Sequence, residues 1–477
     1  MANQQHPIKL LLKFAAAGIL LLLLLVVMAL VYFGIPRNAA GMAAKGVCSA
    51  AFVAGRPTDY LMEQDVLPAS GVLKAIGISI DTKAKTVTAR FVGMVERTAA
   101  LLPDRGCVLD HVADVAAAPY QPALDTSALW PQGNATLPAN SWPKGVDAKR
   151  LHQVVDQAFV GAGDPIAANA RGVAVVHQGR LLVLNDAPGI QAGTALHGWS
   201  MAKTVSGMLT YKLAQETGLS LEQPVVDSFL PGRSPAWTDD WRKDDRQRIT
   251  VADLMYMRDG LASTEDYQPW GSVPQMLWGA PDVAAWAANH PVEVGAGTRW
   301  RYLSATSNLL SAVARGRMEN DVAYWAYPRK ALFEPIGARS AVMETDSKGN
   351  WVGSSYVWAS VGDWARLGQL MLQDGQWNGK QVIPKGWLHL ATTPSLFNGE
   401  GQGYGAQSWL IGNPQAGECK EYANIPSDTV AMQGHWGQIV AMAPSRNAVI
   451  VRLGWTFKRQ QFNECQFISD VISALPQ

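Results

Sequence analysis

Ser200-Met-Ala-Lys203 places a hydroxyl and an amine one helical turn apart at the head of an amphipathic stretch. Apolar residues recur at Met201, Val205, Met208, Leu209 and Leu213, and Gly218 supplies a stop. The pattern predicts a helix with Ser200 at its N-terminus and Lys203 on the same face. A serine hydroxyl is a weak nucleophile until a base within hydrogen-bond reach takes its proton. A lysine serves as that base when burial and the positive helix end lower its pKa. Alone, the spacing is weak evidence, because most serines before an apolar run are helix caps. A second copy, Ser141-Trp-Pro-Lys144, falls in a turn set by Pro143 and Gly145, where its two side chains share no helix face.

Two later stretches carry the groups such a pair needs. Tyr302-Leu-Ser304 precedes a helical stripe at Leu309, Leu310 and Val313. A tyrosine there relays a proton if a nearby cation lowers its pKa; an isolated tyrosine is more often structural. His435-Trp-Gly437-Gln438 sits on a candidate late strand. Glycine at 437 lets a substrate backbone approach, and the backbone N–H of Gln438 could pair with that of Ser200 as an oxyanion hole.

The elements that position these residues read as α+β. Helices are expected at Leu151–Val160, after Ser200, from Thr250 to Met257, from Ser360 to Gln373 and from Asp470 onward. Strands are expected at Gly172–Val176, Arg180–Leu184, Gln407–Ile411, Val430–Gln433, Ile439–Ala443 and Ala448–Leu453. Strands near both ends of this region with helices between them predict one antiparallel sheet covered by helices, over residues 146–477. Residues 45–115 read as a small separate unit with a hairpin, Val72–Ile80 and Lys85–Val92, about Asp81. Residues 116–145, rich in Pro, Ala, Asn and Gly, read as a linker or strap.

The run Phe14–Gly34 is continuously apolar and long enough to span a bilayer, after a leader of residues 1–13. It is longer than a usual signal-peptide core, which favours an uncleaved anchor with the body outside the cytoplasm. Four cysteines in an exported chain permit two disulfides, and Cys48–Cys107 with Cys419–Cys465 is the economical pairing. The eight histidines form no ligand motif, so neither a metal site nor another cofactor is expected. A formal charge of +1 over 477 residues gives no reason to invoke nucleic acid. Oligomeric state is not legible.

Together, S-x-x-K, Y-x-S and H-x-G in this order resemble the serine β-lactamase and penicillin-binding-protein superfamily, in its class C β-lactamase-related branch. The stretches GWSMAKTV, Arg258–Tyr267 and Gly434–Gln438 are similar to aminohexanoate-oligomer hydrolases. The resemblance covers residues 146–477 well and 45–115 loosely. It implies that Ser200 is acylated, that Lys203 and Tyr302 share the base role, and that Tyr302 protonates the leaving group. It places Ser304 and His435 in the polar network, the Ser200 and Gln438 amides in the oxyanion hole, and Tyr267 against the substrate amide. Class C enzymes have Asn and Lys where this chain has Ser304 and His435; loss of that lysine argues against strong β-lactamase activity.

The aromatic stretch 266–279 is either a lid that brings Tyr267 and Trp270 over the pocket or a loop pinned by its own rings. Trp199 and Trp436 either line an apolar subsite or pack the helix on the sheet. The expected function is cleavage of a small amide or ester through an acyl-enzyme. A D-Ala-D-Ala carboxypeptidase and a non-catalytic or slowly acylating sensor are the alternatives. An α/β-hydrolase elbow at Gly198–Ala202 ranks low, since Ala202 replaces the second glycine and no doubly wound alternation precedes it.

Overall fold

The computed structural model describes residues 5–93, 95–111, 127–163, 168–457 and 459–476. Its centre is a five-stranded antiparallel sheet built from both ends of the larger region. Strands β5 (Ala170–His177) and β6 (Arg180–Asp186) form a hairpin about the Gln178-Gly179 turn. The late strands β7 (Val430–Gly434), β8 (Gln438–Ala443) and β9 (Ala448–Gly454) form a meander, and β9 pairs with β5. The order is β7-β8-β9-β5-β6. β5, β8 and β9 are buried along their whole length, as expected for strands covered on both faces.

Helix α4 (Met201–Thr217) begins at Ser200 and ends at Gly218, whose φ of 67° makes it a left-handed cap. Helices α5 (Ser304–Gly316) and α6 (Val361–Leu372) pack on α4 and on the sheet respectively. Ser360 caps α6 through its hydroxyl, and Thr250 with Asp253 forms a complete capping box on the short helix Val251–Met255. The opposite face of the sheet is covered by α3 (Ala148–Val160) and α7 (Glu464–Ser473), where Leu151, Val155, Ile468 and Ile472 meet β-strand residues. The α+β arrangement is thus present.

Residues 76–109 form a second sheet, a four-stranded meander of β1 (Ile76–Asp81), β2 (Thr86–Phe91), β3 (Val95–Leu102) and β4 (Gly106–Leu109). Helix α2 (Ile35–Cys48) lies on β2 and β3 and also contacts residues 275–279 of the larger region. Both expected disulfides are formed. Residues 130–134 lie over α6, where Arg366 donates to Pro131 O at 2.9 Å and to Asn134 Oδ1 at 2.9 Å, and Leu137 and Trp142 then pack with the α3 and α7 side of the sheet. Positions 116–126 of the expected linker, and 112–115 at the end of the expected small unit, lie outside the described residues.

Four expectations need correction. Gln407–Ile411 is not a strand; only Trp409 pairs, as a bridge to Ala431 and Tyr404. Gln407 turns the chain with a φ of 50° and spends its side-chain amide on Leu254 O and Met255 O, both at 3.0 Å. The terminal helix starts at Glu464, not Asp470, because Asn463 caps it through Gln466 N. Residues 71–75 are a helical turn, so the first strand of the hairpin begins only at Ile76. At the N-terminus, α1 (Gln5–Tyr32) stops short of the expected Gly34, which turns the chain into α2 with a φ of 66°. Among the described residues no helix is long and apolar enough to cross a membrane, so the fold does not support the expected span.

Candidate active site

Trp199 holds a φ of 49°, a conformation disfavoured for a bulky residue, and this sharp turn delivers Ser200 to the first position before α4. Lys203, one turn on, is 1% exposed. Its Nζ donates to Ser200 Oγ, Ser304 Oγ and the Ser354 carbonyl, each at 3.0 Å. All three donors of an ammonium therefore have acceptors. Burial pulls the Lys203 pKa down to about 8, against an opposing pull from the Glu265 charge. An amine with that pKa has an appreciable neutral fraction near neutral pH, and its lone pair is within reach of the serine proton.

Ser304, the first residue of α5, links the lysine to an acid. Glu265 accepts from the Ser304 backbone N–H at 2.6 Å and from its hydroxyl at 2.7 Å. Glu265 also accepts from the Tyr267 hydroxyl at 3.3 Å. The expectations assigned Glu265 no role, although it lies in the 258–267 stretch. No spacing singled it out, since Asp259 and Asp266 stand in the same ten-residue stretch. Its partner Ser304 is 39 residues away, and only the fold joins them.

Tyr302 and Tyr267 both hydrogen-bond with Ser200. Lys203 Nζ lies 4.7 Å from the centre of the Tyr302 ring. The expected lowering of the Tyr302 pKa by a cation does not occur. Burial and the Glu265 charge push it up instead, outweighing the bonds from Ser200 and Trp409. Tyr302 is therefore a neutral phenol at rest. Its ring is held by Trp409 at 4.9 Å and Tyr404 at 5.7 Å, two aromatics the sequence did not single out.

The β7–β8 turn brings the third group. Gly434 lies so close to the Gly198 carbonyl that a Cβ would collide with it, which is how the end of this hairpin reaches the head of α4. In the turn, Trp436 and Gly437 have φ of 64° and 81°. A Cβ on Gly437 would also strike the guanidinium of Arg452, which donates to Gly437 O at 2.8 Å. The glycine is thus required by the turn and by the arginine beneath it, where the sequence suggested room for substrate. Gln438 opens β8 opposite Gly434. Its side chain points inward and ties the turn together, donating to His435 O and Trp436 O at 3.1 Å and accepting from Gly454 N at 3.0 Å.

His435 stacks on Tyr267, with ring centres 4.4 Å apart and planes 7° from parallel. A cavity of about 370 Å³ opens here, lined among others by Ser200, Glu265, Tyr302, His435, Gly437 and Trp409. Tyr267 and Trp436 also line it. Two of the expected substrate contacts do not line this cavity. Trp270 is 50% exposed and does not line the cavity, because the loop is pinned by Gln275 bonding to Trp270 O at 2.7 Å. Trp199 is buried in a cluster with His197, Trp436 and Trp455, so it packs α4 against the sheet and only edges the neighbouring cavity. A larger groove of about 780 Å³ runs between α3 and α7, and of the residues lining the Ser200 cavity it shares only Phe462.

Known proteins share this fold at low sequence identity. The chain is 22% identical over 311 residues to an uncharacterized protein of Alkalihalophilus pseudofirmus, covering 64% of this chain and 87% of that one. A candidate 6-aminohexanoate-dimer hydrolase from Bacillus anthracis superposes with a TM-score of 0.51 at 17% identity, over 75% of this chain and 87% of that one. A penicillin-binding-protein homologue from Caulobacter crescentus gives 0.51 at 15% identity, over 72% and 99%. A family VIII carboxylesterase gives 0.52 at 12%, over 69% and 96%. At these identities the solved structures speak to the fold. The β-lactamase family model matches residues 151–464, which span the sheet, α4, α5 and the β7–β8 turn, and the chain belongs to the β-lactamase family.

Proposed function

We propose that this protein hydrolyses a small ester or amide through an acyl-enzyme on Ser200. The observation that carries the reading is the buried Lys203 amine, 3.0 Å from Ser200 Oγ with its pKa pulled down to about 8. In its neutral form Lys203 takes the Ser200 proton as Oγ attacks the substrate carbonyl. The backbone N–H groups of Ser200 and Gln438 receive the oxyanion. Tyr302, a neutral phenol touching Ser200, hands a proton to the leaving group and is reprotonated from Lys203, which restores the charge balance. Water then attacks the Ser200 ester with the same base, releasing the acid and the free serine. His435 and Ser304 hold the polar frame. Replacing Ser200 by Ala is expected to abolish turnover of a p-nitrophenyl ester in a folded protein; undiminished turnover would move the nucleophile elsewhere.

We further propose that the protein acts outside the cytoplasm, held at the membrane by the exposed apolar side chains of α1, although no helix among the described residues is long and apolar enough to cross it. Two disulfides suit an oxidising compartment, and the apolar run 14–34 includes side chains such as Phe14, Ile19, Leu22 and Met28 that stand exposed around α1. The full chain should therefore sediment with membranes and resist a high-salt wash, while a chain starting at 35 should not. Equal behaviour of the two would remove the anchor from the account.

A further inference from the structure

A second cavity, of about 270 Å³, adjoins the Ser200 pocket and has no place in the chemistry above. It is walled by Ile35, Ala39 and Met42 of α2, by Val72 and Leu73, and by Pro274 and Trp278 from the larger region. None of its lining residues carries a formal charge when His435 is neutral, in contrast to the Ser200 pocket, which holds Glu265 and Glu464. Tyr267, His435 and Trp436 line both cavities, so the stacked Tyr267–His435 pair is their common wall. One polar group stands out in the second cavity. Asn38 is 4% exposed and its Nδ2 has no hydrogen-bond partner. A buried amide donor without an acceptor costs free energy until a ligand oxygen meets it.

We propose that this cavity is an acyl-chain subsite. It takes the aliphatic tail of a substrate whose carbonyl lies at Ser200, with Asn38 donating to an acceptor oxygen carried on that tail. Apolar walls favour a hydrocarbon, and with Tyr267, His435 and Trp436 on both linings the tail runs past the edge of the stacked pair from Ser200 into the second cavity. The cavity lies at the start of α2, directly after the Gly34 turn that ends α1. Residues 35–73 thereby contribute half of this cavity's lining. The inference rests on the acyl-enzyme reading, because the tail is measured by the ester it delivers to Ser200.

The test uses the full chain in lipid nanodiscs with p-nitrophenyl acetate, butyrate and octanoate. Octanoate is expected to exceed acetate in kcat/KM by about tenfold or more, since each buried methylene adds discrimination. Ala69→Trp and Val72→Trp, two variants that fill the cavity from the N-terminal unit, are expected to bring the octanoate-to-acetate ratio of kcat/KM down to about one. Octanoate no better than acetate in the wild-type protein, or an unchanged ratio in both variants with melting curves showing them folded, would overturn the subsite. Loss of acetate turnover in the wild-type protein would instead sink the acyl-enzyme reading on which it rests.

Discussion

Glu265 grips Ser304 at two points, accepting its backbone N–H at 2.6 Å and its hydroxyl at 2.7 Å, and so fixes which way the Ser304 hydroxyl points. With its proton committed to the carboxylate, Ser304 Oγ offers only lone pairs to Lys203 Nζ at 3.0 Å. The carboxylate thus holds the base in line with Ser200 without touching the serine. Its charge also raises the Lys203 pKa against the larger lowering by burial.

Replacing Glu265 by Gln separates these two effects. Removing the charge lets burial act unopposed, so the Lys203 pKa falls further and the acid limb of kcat/KM moves below about 8. Losing the grip on Ser304 lowers kcat as well, by about tenfold or more, as expected for a mispositioned base. A pH–rate profile of the two proteins decides it. An acid limb at the same pH in both would mean that Glu265 does not bear on the base.

Lys203 makes the native state pay for its chemistry in stability. Its folded pKa lies below its unfolded value of 10.5. Below pH 8 the folded protein must bury the ammonium, and the cost is largest there. Between about 8 and 10.5 the unfolded chain binds the extra proton and stability from this group rises with pH. The full shift corresponds to about 3 kcal/mol, from which the lost hydrogen bonds to Ser200, Ser304 and the Ser354 carbonyl must be subtracted. Lys203→Met should therefore be inactive yet gain stability relative to the parent at pH 7, and the gain should shrink by pH 10. Thermal melts at both values check the sign; a gain that grows with pH would contradict it.

Tyr302 is a neutral phenol because burial and Glu265 raise its pKa. It acts as a relay, not as the resting base. Tyr302→Phe should reduce kcat by about 10²- to 10⁴-fold, the usual range for a proton-transfer group, with KM little changed. Its acid limb should stay near 8, where Lys203 sets it. A limb that vanishes in this variant would transfer the base role to the tyrosine.

A buried ion pair joins the N-terminal unit to the body. Lys45 Nζ lies 2.8 Å from Glu344, which also accepts from Ser49 Oγ and Cys107 N at 2.8 Å and Trp358 Nε1 at 2.9 Å. Glu344→Gln would leave the Lys45 charge uncompensated, at a cost of about 3–5 kcal/mol. A fall of many degrees in Tm with unchanged acetate kinetics in the folded protein is the expected result. An unaltered Tm would mean that Lys45 is already neutral in the fold, as the lowering of its pKa by burial would allow.

What was legible in the sequence was local. Ser200 and Lys203 share one helix, so their spacing and the apolar stripe behind them state their geometry. The β7–β8–β9 meander was legible for the same reason, as three apolar runs with short connections. Glu265 was not, because its meaning depends on a partner 39 residues on and on the fold that brings α5 to it. Nor was the state of Tyr302: the cation is where the reasoning needed it, but burial and an acid nobody would place from spacing outweigh it. Trp270 and Gln407–Ile411 misled because aromatic content and apolar alternation say nothing of the turn that points them away. β3 and β4 were missed because mixed polarity along 95–109 hides their period.

The most direct test of the account is the mass of the enzyme quenched within the first turnovers on p-nitrophenyl acetate, followed by peptide mapping. The account predicts a burst of nitrophenol and one acetyl group on the peptide containing Ser200, lost again as substrate is exhausted. Steady turnover with no acetyl on that peptide, in a protein where Ser200 also resists a fluorophosphonate, would contradict it.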